Sequence, residues 1–61
     1  MSEVKRYWYE VRYLDSREGN LRIASVHAVD DSSAYEEAYD ADYYFGSLVS
    51  IERLHEVGND E

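Results

Sequence analysis

A chain of 61 residues is enough for one small domain, which buries only about 60% of the surface that its unfolded form exposes. It has no cysteine and two histidines, so packing must hold it without disulfides or a thiolate zinc site. With 14 acids against six Lys and Arg, a net charge of -8, it repels a phosphate backbone, and it has neither an apolar run near the ~20 residues of a membrane span nor a secretory leader pattern.

In chain order, a polar lead-in over 1–5 gives way to Arg6-Tyr7-Trp8-Tyr9-Glu10-Val11-Arg12-Tyr13-Leu14. Aromatic and β-branched residues dominate it, which predicts a strand over about 6–14. Asp15-Ser16-Arg17-Glu18-Gly19-Asn20 holds the turn formers, and the stretch from Leu21 to Val29 reads as a second strand over 21–29. Closing this hairpin with Leu14 opposite Leu21 sets Val11 against Ala24, Tyr9 against Val26 and Tyr7 against Ala28. We read these pairs as one inward face. The other pairs, Trp8 with His27, Glu10 with Ser25 and Arg12 with Ile23, give a mixed face that needs no cover.

A helix follows over about 31–45, with Ala34, Ala38 and Ala41 as its packed stripe and the Asp/Ser run before them as its cap. Tyr43-Tyr44-Phe45-Gly46 should end it, with the glycine in the left-handed conformation. Tyr35, Tyr39 and Tyr43 repeat at every fourth position as an aromatic ridge, Tyr35 bordering the core and Tyr39 and Tyr43 available to an interface. A third strand is expected over 47–55 with Val49 and Ile51 inward, then an acidic tail over 56–61. The directions of these elements require strand three to run antiparallel to strand one. The whole is one α+β domain spanning 1–61: ββαβ, a three-stranded antiparallel sheet of order 2-1-3 with the helix on one face.

Acidity is concentrated in one place. Residues 1–29 hold five cations against four acids, whereas 30–42 hold six acids (Asp30, Asp31, Glu36, Glu37, Asp40 and Asp42) and no cation. Glu36 and Glu37 suit the positive end of the helix dipole; Asp40 and Asp42 lie near its negative end with no compensating Lys or Arg. Such placement costs a few tenths of a kcal/mol for each carboxylate. It therefore points to a partner that wants the charge. Carboxylates at i and i+4, about 5–6 Å apart at Cβ, can imitate a line of phosphates for a basic DNA-binding surface. The plain alternative is that the acids serve solubility alone.

Catalysis is poorly supported, because neither His27 nor His55 has a nucleophile at a recognisable spacing. Glu36 and Asp40 lack the glycine-bearing loop of a calcium site. We assign no catalytic, metal or cofactor residue, and expect no cofactor. Base stacking on Trp8 and Tyr7 is opposed by the net charge. The partner-binding candidates are Asp30, Asp31, Glu36, Glu37, Tyr39, Asp40, Asp42 and Tyr43.

Val26-His27-Ala28, Ser33-Ala34, Ala38, Ala41 and Gly46-Ser47-Leu48-Val49-Ser50-Ile51-Glu52 together resemble small anti-CRISPR proteins of phages and mobile elements, over roughly positions 6–55. In size, acidity and architecture the chain is similar to the type I inhibitors, and more narrowly to the type I-C group. The resemblance implies a non-enzymatic, monomeric inhibitor in the cytoplasm of an infected bacterial host. It would bind the CRISPR surveillance complex (Cascade) at its PAM-reading large subunit and block entry of target DNA, contacting neither nucleic acid nor membrane itself. It carries over no signature residue; the candidates above come from the charge pattern. Other readings are a DNA mimic aimed at another host DNA-binding enzyme, and an assembly module that pairs through the open sheet face or an edge strand.

Overall fold

The structure, a computed structural model, describes residues 5–58. Strand β1 (Tyr7–Asp15), strand β2 (Leu21–Ala28), helix α1 (Asp31–Ala41) and strand β3 (Phe45–Glu56) follow one another, and the sheet order is β2-β1-β3, antiparallel throughout. The ββαβ reading holds, and so does the hairpin register: Leu14 faces Leu21, Val11 faces Ala24, Tyr9 faces Val26 and Tyr7 faces Ala28. Of the lead-in and tail expected from the sequence, residues 1–4 and 59–61 lie outside the described range. Glu56 still belongs to β3, and the Val57 N–H donates to the Arg6 carbonyl at 2.9 Å.

Because β1 is paired on both sides, its odd-numbered residues sit between two neighbouring strands and beneath the helix. Tyr9, Val11 and Tyr13 are accordingly buried, together with Ala28, Ala34, Ala38 and Phe45. Ala34 and Ala38 are the closest side chains the helix can offer apart from glycine. They let its backbone approach the sheet, where the tyrosines supply the volume that alanine lacks. Among the described residues only Tyr9 and Val11 are large and fully buried. At about 1.5–3 kcal/mol for each such side chain, this core needs the aromatic cluster beside it. Phe45 is the hub of that cluster: Tyr13 stacks on it at 4.4 Å between ring centroids, and Tyr35 and Tyr39 each meet it at 5.5 Å.

Several expectations need correction. The helix stops at Ala41, four residues short of the expected end, because Asp42 is extended (φ -125°, ψ 110°) and turns the chain into Tyr43-Tyr44. The Tyr44 carbonyl accepts from the Ser16 N–H at 2.6 Å, so the hairpin loop holds the helix exit in place. Ala41 is exposed as a result, and the packed stripe consists of Ala34 and Ala38. Gly46 is no left-handed cap, since among the described residues only Gly19 has a positive φ, 75°. Gly46 lies instead within β3, where a Cβ would stand 2.5 Å from the Leu14 carbonyl oxygen. Phe45, expected to close the helix, begins β3 beside Asp15.

A further correction concerns the faces of the sheet. Side chains alternate along a strand, so Leu14 shares a face with Trp8, Glu10 and Arg12 and not with Val11. Leu14 is 36% exposed and Leu21 56% exposed, on the face opposite the helix. Val49 also departs from expectation. The β1–β3 register shifts between Arg12 (opposite Ser50) and Tyr13 (opposite Leu48), leaving Val49 as the extra residue of a bulge, 53% exposed. Ile51 opposite Val11 packs against the core as expected.

Gly46→Ala should destabilise the protein by about 1–3 kcal/mol, the usual range for forcing an atom into filled space. Gly58→Ala, where nothing lies within 4 Å, should be close to neutral. Thermal melts of the two variants followed by circular dichroism check this; equal melting temperatures would refute the close approach at Gly46.

Candidate functional site: the outer face of the helix

The six acids of segment 30–42 divide into two groups. Asp30 is the N-cap, its Oδ1 accepting from the Ser33 N–H at 2.9 Å, and Asp31 lies in the first turn where the helix dipole favours it. Asp42 accepts from the Tyr13 hydroxyl at 2.6 Å and from the Tyr44 N–H at 2.9 Å. These three have local structural reasons to be acidic. In particular, Asp42 is not misplaced charge: it locks the helix exit onto the central strand.

Glu36, Glu37 and Asp40 have no such reason. At roughly 100° per residue, Glu36 and Asp40 project from the side opposite Ala34 and Ala38, and Glu37 projects from a flank. All three are exposed. The ion pairs among the described residues are Lys5–Glu56, Arg12–Glu10, Arg12–Glu52 and Arg22–Asp15, and none involves the helix. The remaining cations are also occupied elsewhere. Arg6 donates to His27 at 3.2 Å, Arg17 lies over the Tyr44 ring at 4.8 Å and Arg53 over the Tyr7 ring at 4.7 Å. The outer helix face therefore keeps its charge uncompensated.

The tyrosines divide as well. Tyr35 and Tyr39, 6.0 Å apart between centroids, both rest against Phe45, and with Glu36 and Asp40 they line an open groove along the helix. Tyr39 is 54% exposed, so it borders the core and remains available at the same time. Tyr43 leaves the expected ridge. It lies beyond the helix, packs edge-on against Tyr44 and is 90% exposed. The structure thus brings together Glu36, Tyr39 and Asp40 from the candidate set along the groove, leaves Glu37 exposed on the other flank, and sets Asp30, Asp31, Asp42 and Tyr43 at the two ends of the helix.

Asp15, which the sequence suggested only as a turn former, organises the hairpin end. Its side chain is almost wholly buried; it accepts from the N–H groups of Glu18 (2.7 Å) and Gly19 (2.8 Å) and pairs with Arg22 at 3.3 Å. The Glu18 amide is the main cause holding its carboxyl below the usual carboxylate range, with burial opposing and Gly19 and Arg22 assisting. Asp42 is likewise held low, first by the Tyr13 hydroxyl and then by the Tyr44 amide, and the same hydrogen bond raises Tyr13 above the ordinary tyrosine value. Tyr9 is raised by burial and by the nearby charge of Asp31.

These shifts make the stability of the fold depend on pH. Asp15 and Asp42 contribute stability that is present above the unfolded carboxylate pKa, about 3.9, and is lost as pH falls through their depressed folded values. Tyr13 contributes stability that is present below about pH 10 and is lost as pH rises through its raised value. Tyr13→Phe should lower the melting temperature near neutrality by several degrees and flatten its pH dependence at both extremes. Melts from pH 2 to 11 test this; unchanged slopes in the variant would refute the Tyr13–Asp42 lock. Comparison of the chain with protein-family models, with curated proteins and with solved structures yields no match.

Proposed function

We propose that the protein is a non-enzymatic inhibitor whose outer helix face takes the place of nucleic acid on a basic surface of a host protein. The observation that carries this reading is that Glu36, Glu37 and Asp40 stand together, exposed and unpaired among the described residues, while all six Lys and Arg residues are engaged by the sheet and its loops. A chain selected for solubility alone would gain from letting some of those cations offset the helix, since like charges at i and i+4 or i and i+3 destabilise a helix by a few tenths of a kcal/mol each. Arginine and lysine side chains lining a DNA channel would pair with the three carboxylates through charge-assisted hydrogen bonds. Tyr39, held against Phe45, would add a rigid aromatic contact beside Asp40 at little entropic cost.

The target that the sequence resemblance implies is the PAM-reading surface of a type I CRISPR surveillance complex, in the cytoplasm of a bacterial host. On that surface the protein offers charge and shape without a base sequence to read or a bond to cut. No helix among the described residues is long and apolar enough to cross a membrane, which accords with a partner met in aqueous solution.

Converting Glu36, Glu37 and Asp40 together to lysine should weaken binding to the surveillance complex at least tenfold. Raising the salt from 0.05 to 0.5 M should weaken the wild type in the same direction, because exposed ion pairs are screened. Asp31→Asn should have a smaller effect than any one of the three. Calorimetry or surface plasmon resonance measures both; an affinity indifferent to the lysines and to salt would exclude mimicry.

A further inference from the structure

The sheet face opposite the helix has a composition unlike the rest of the molecule. Arg6 and Arg12 balance Glu10 and Glu52, so a face of a chain carrying -8 is itself formally neutral. Arg12 bridges the two glutamates that oppose each other across β1 and β3, at 3.0 Å to Glu10 and 3.8 Å to Glu52. On one side of this polar centre Leu14, Leu21 and Ile23 form an apolar cluster, with Leu21 and Ile23 more than half exposed. On the other side stands Trp8, edge-on to His27 at 5.3 Å.

We propose that this face binds a second copy of the same chain, sheet against sheet. The pattern along β1 is self-complementary: Trp8, Glu10, Arg12 and Leu14 read as apolar, acid, base, apolar. A two-fold axis crossing the strand at Val11 lays Leu14 of one copy over Trp8 of the other and Arg12 over Glu10, twice each, which is the reciprocal arrangement that a symmetric dimer requires. Charge also selects the face. A second copy brings another -8, and the helix side would meet it as like against like. Stacked through the open faces, the two acidic ridges stand more than about 30 Å apart, given sheets about 10 Å apart and a helix layer of about 10 Å on each. That distance exceeds the Debye length of about 8 Å at physiological salt several times over.

The size of the face sets the strength. Three strands about 4.8 Å apart, paired over about eight residues, cover roughly 400 Å², about half of the ~800 Å² per partner typical of stable complexes. A face of this size suits a weak, reversible dimer and not a permanent one. The dimer leaves both acidic ridges outward, so one assembly carries two of the faces described above.

Sedimentation equilibrium of the full chain between 10 and 500 μM, at 0.05 and 0.5 M salt, tests the proposal. The wild type should pass from monomer to dimer with concentration. Ile23→Ser with Leu21→Ser should raise the dissociation constant at least tenfold while circular dichroism shows the fold intact, which the exposure of both side chains permits. The Glu36, Glu37 and Asp40 lysine variant should dimerise undiminished, so loss of partner binding and loss of dimer are read separately. A monomer throughout the range, including one that binds only a different protein through this face, would overturn the proposal; so would a dimer that survives the double serine variant.

Discussion

The burial of Ala34 and Ala38 against the sheet determines what the rest of the molecule can present. Two methyl groups, buried to within 1%, fix the rotation of an 11-residue helix over Val11 and its neighbours. Once that rotation is set, the helix geometry turns Glu36 and Asp40 outward and brings Tyr35 and Tyr39 down onto Phe45. A larger residue at either alanine would lift the helix and separate the ring cluster from the strand it stacks on. The outward charge is thus a consequence of the inward packing, and it rests on a core with few large side chains.

The distribution of cations follows from the same economy of size. With one helix there is one covered face, and the positive side chains are spent where backbone and carboxylates converge: Arg22 at Asp15, Arg12 between Glu10 and Glu52, Lys5 at Glu56. Apart from the pair at the buried Asp15, pairs of this kind contribute between nothing and about 1 kcal/mol. Their stronger effect is to leave the sheet side neutral and the helix side acidic. One side can meet a like copy and the other a basic partner, which allows a small domain two distinct surfaces without a second structural layer.

Much of this was legible in the sequence. The β1–β2 register follows from the turn residues between Leu14 and Leu21, and the strand order follows from the direction of each element. What was hidden depended on tertiary contacts. The helix end is set by Asp42 meeting Tyr13, 29 positions away, and by Ser16 holding Tyr44; neither is visible in a local pattern that reads Tyr43 and Phe45 as further helix. Gly46 has the glycine signature of a helix cap, but the crowding that requires it comes from the backbone at Leu14. The outward side of Leu14 was available from parity alone, since it is an odd number of residues from Val11; its apolar character drew it to the wrong face. Among the candidate site residues, Glu36, Glu37 and Asp40 are exposed as the spacing of the alanines suggested, and the structural duties of Asp30 and Asp42 emerged only from their hydrogen bonds.

The central claim is that an outward line of carboxylates occupies a surface built for DNA, and competition tests it most directly. Target DNA titrated against a fixed amount of labelled protein bound to the type I surveillance complex should displace the protein completely, with the midpoint moving in proportion to protein concentration. A ternary complex in which DNA and protein are held together at saturation, each with undiminished affinity, would contradict it.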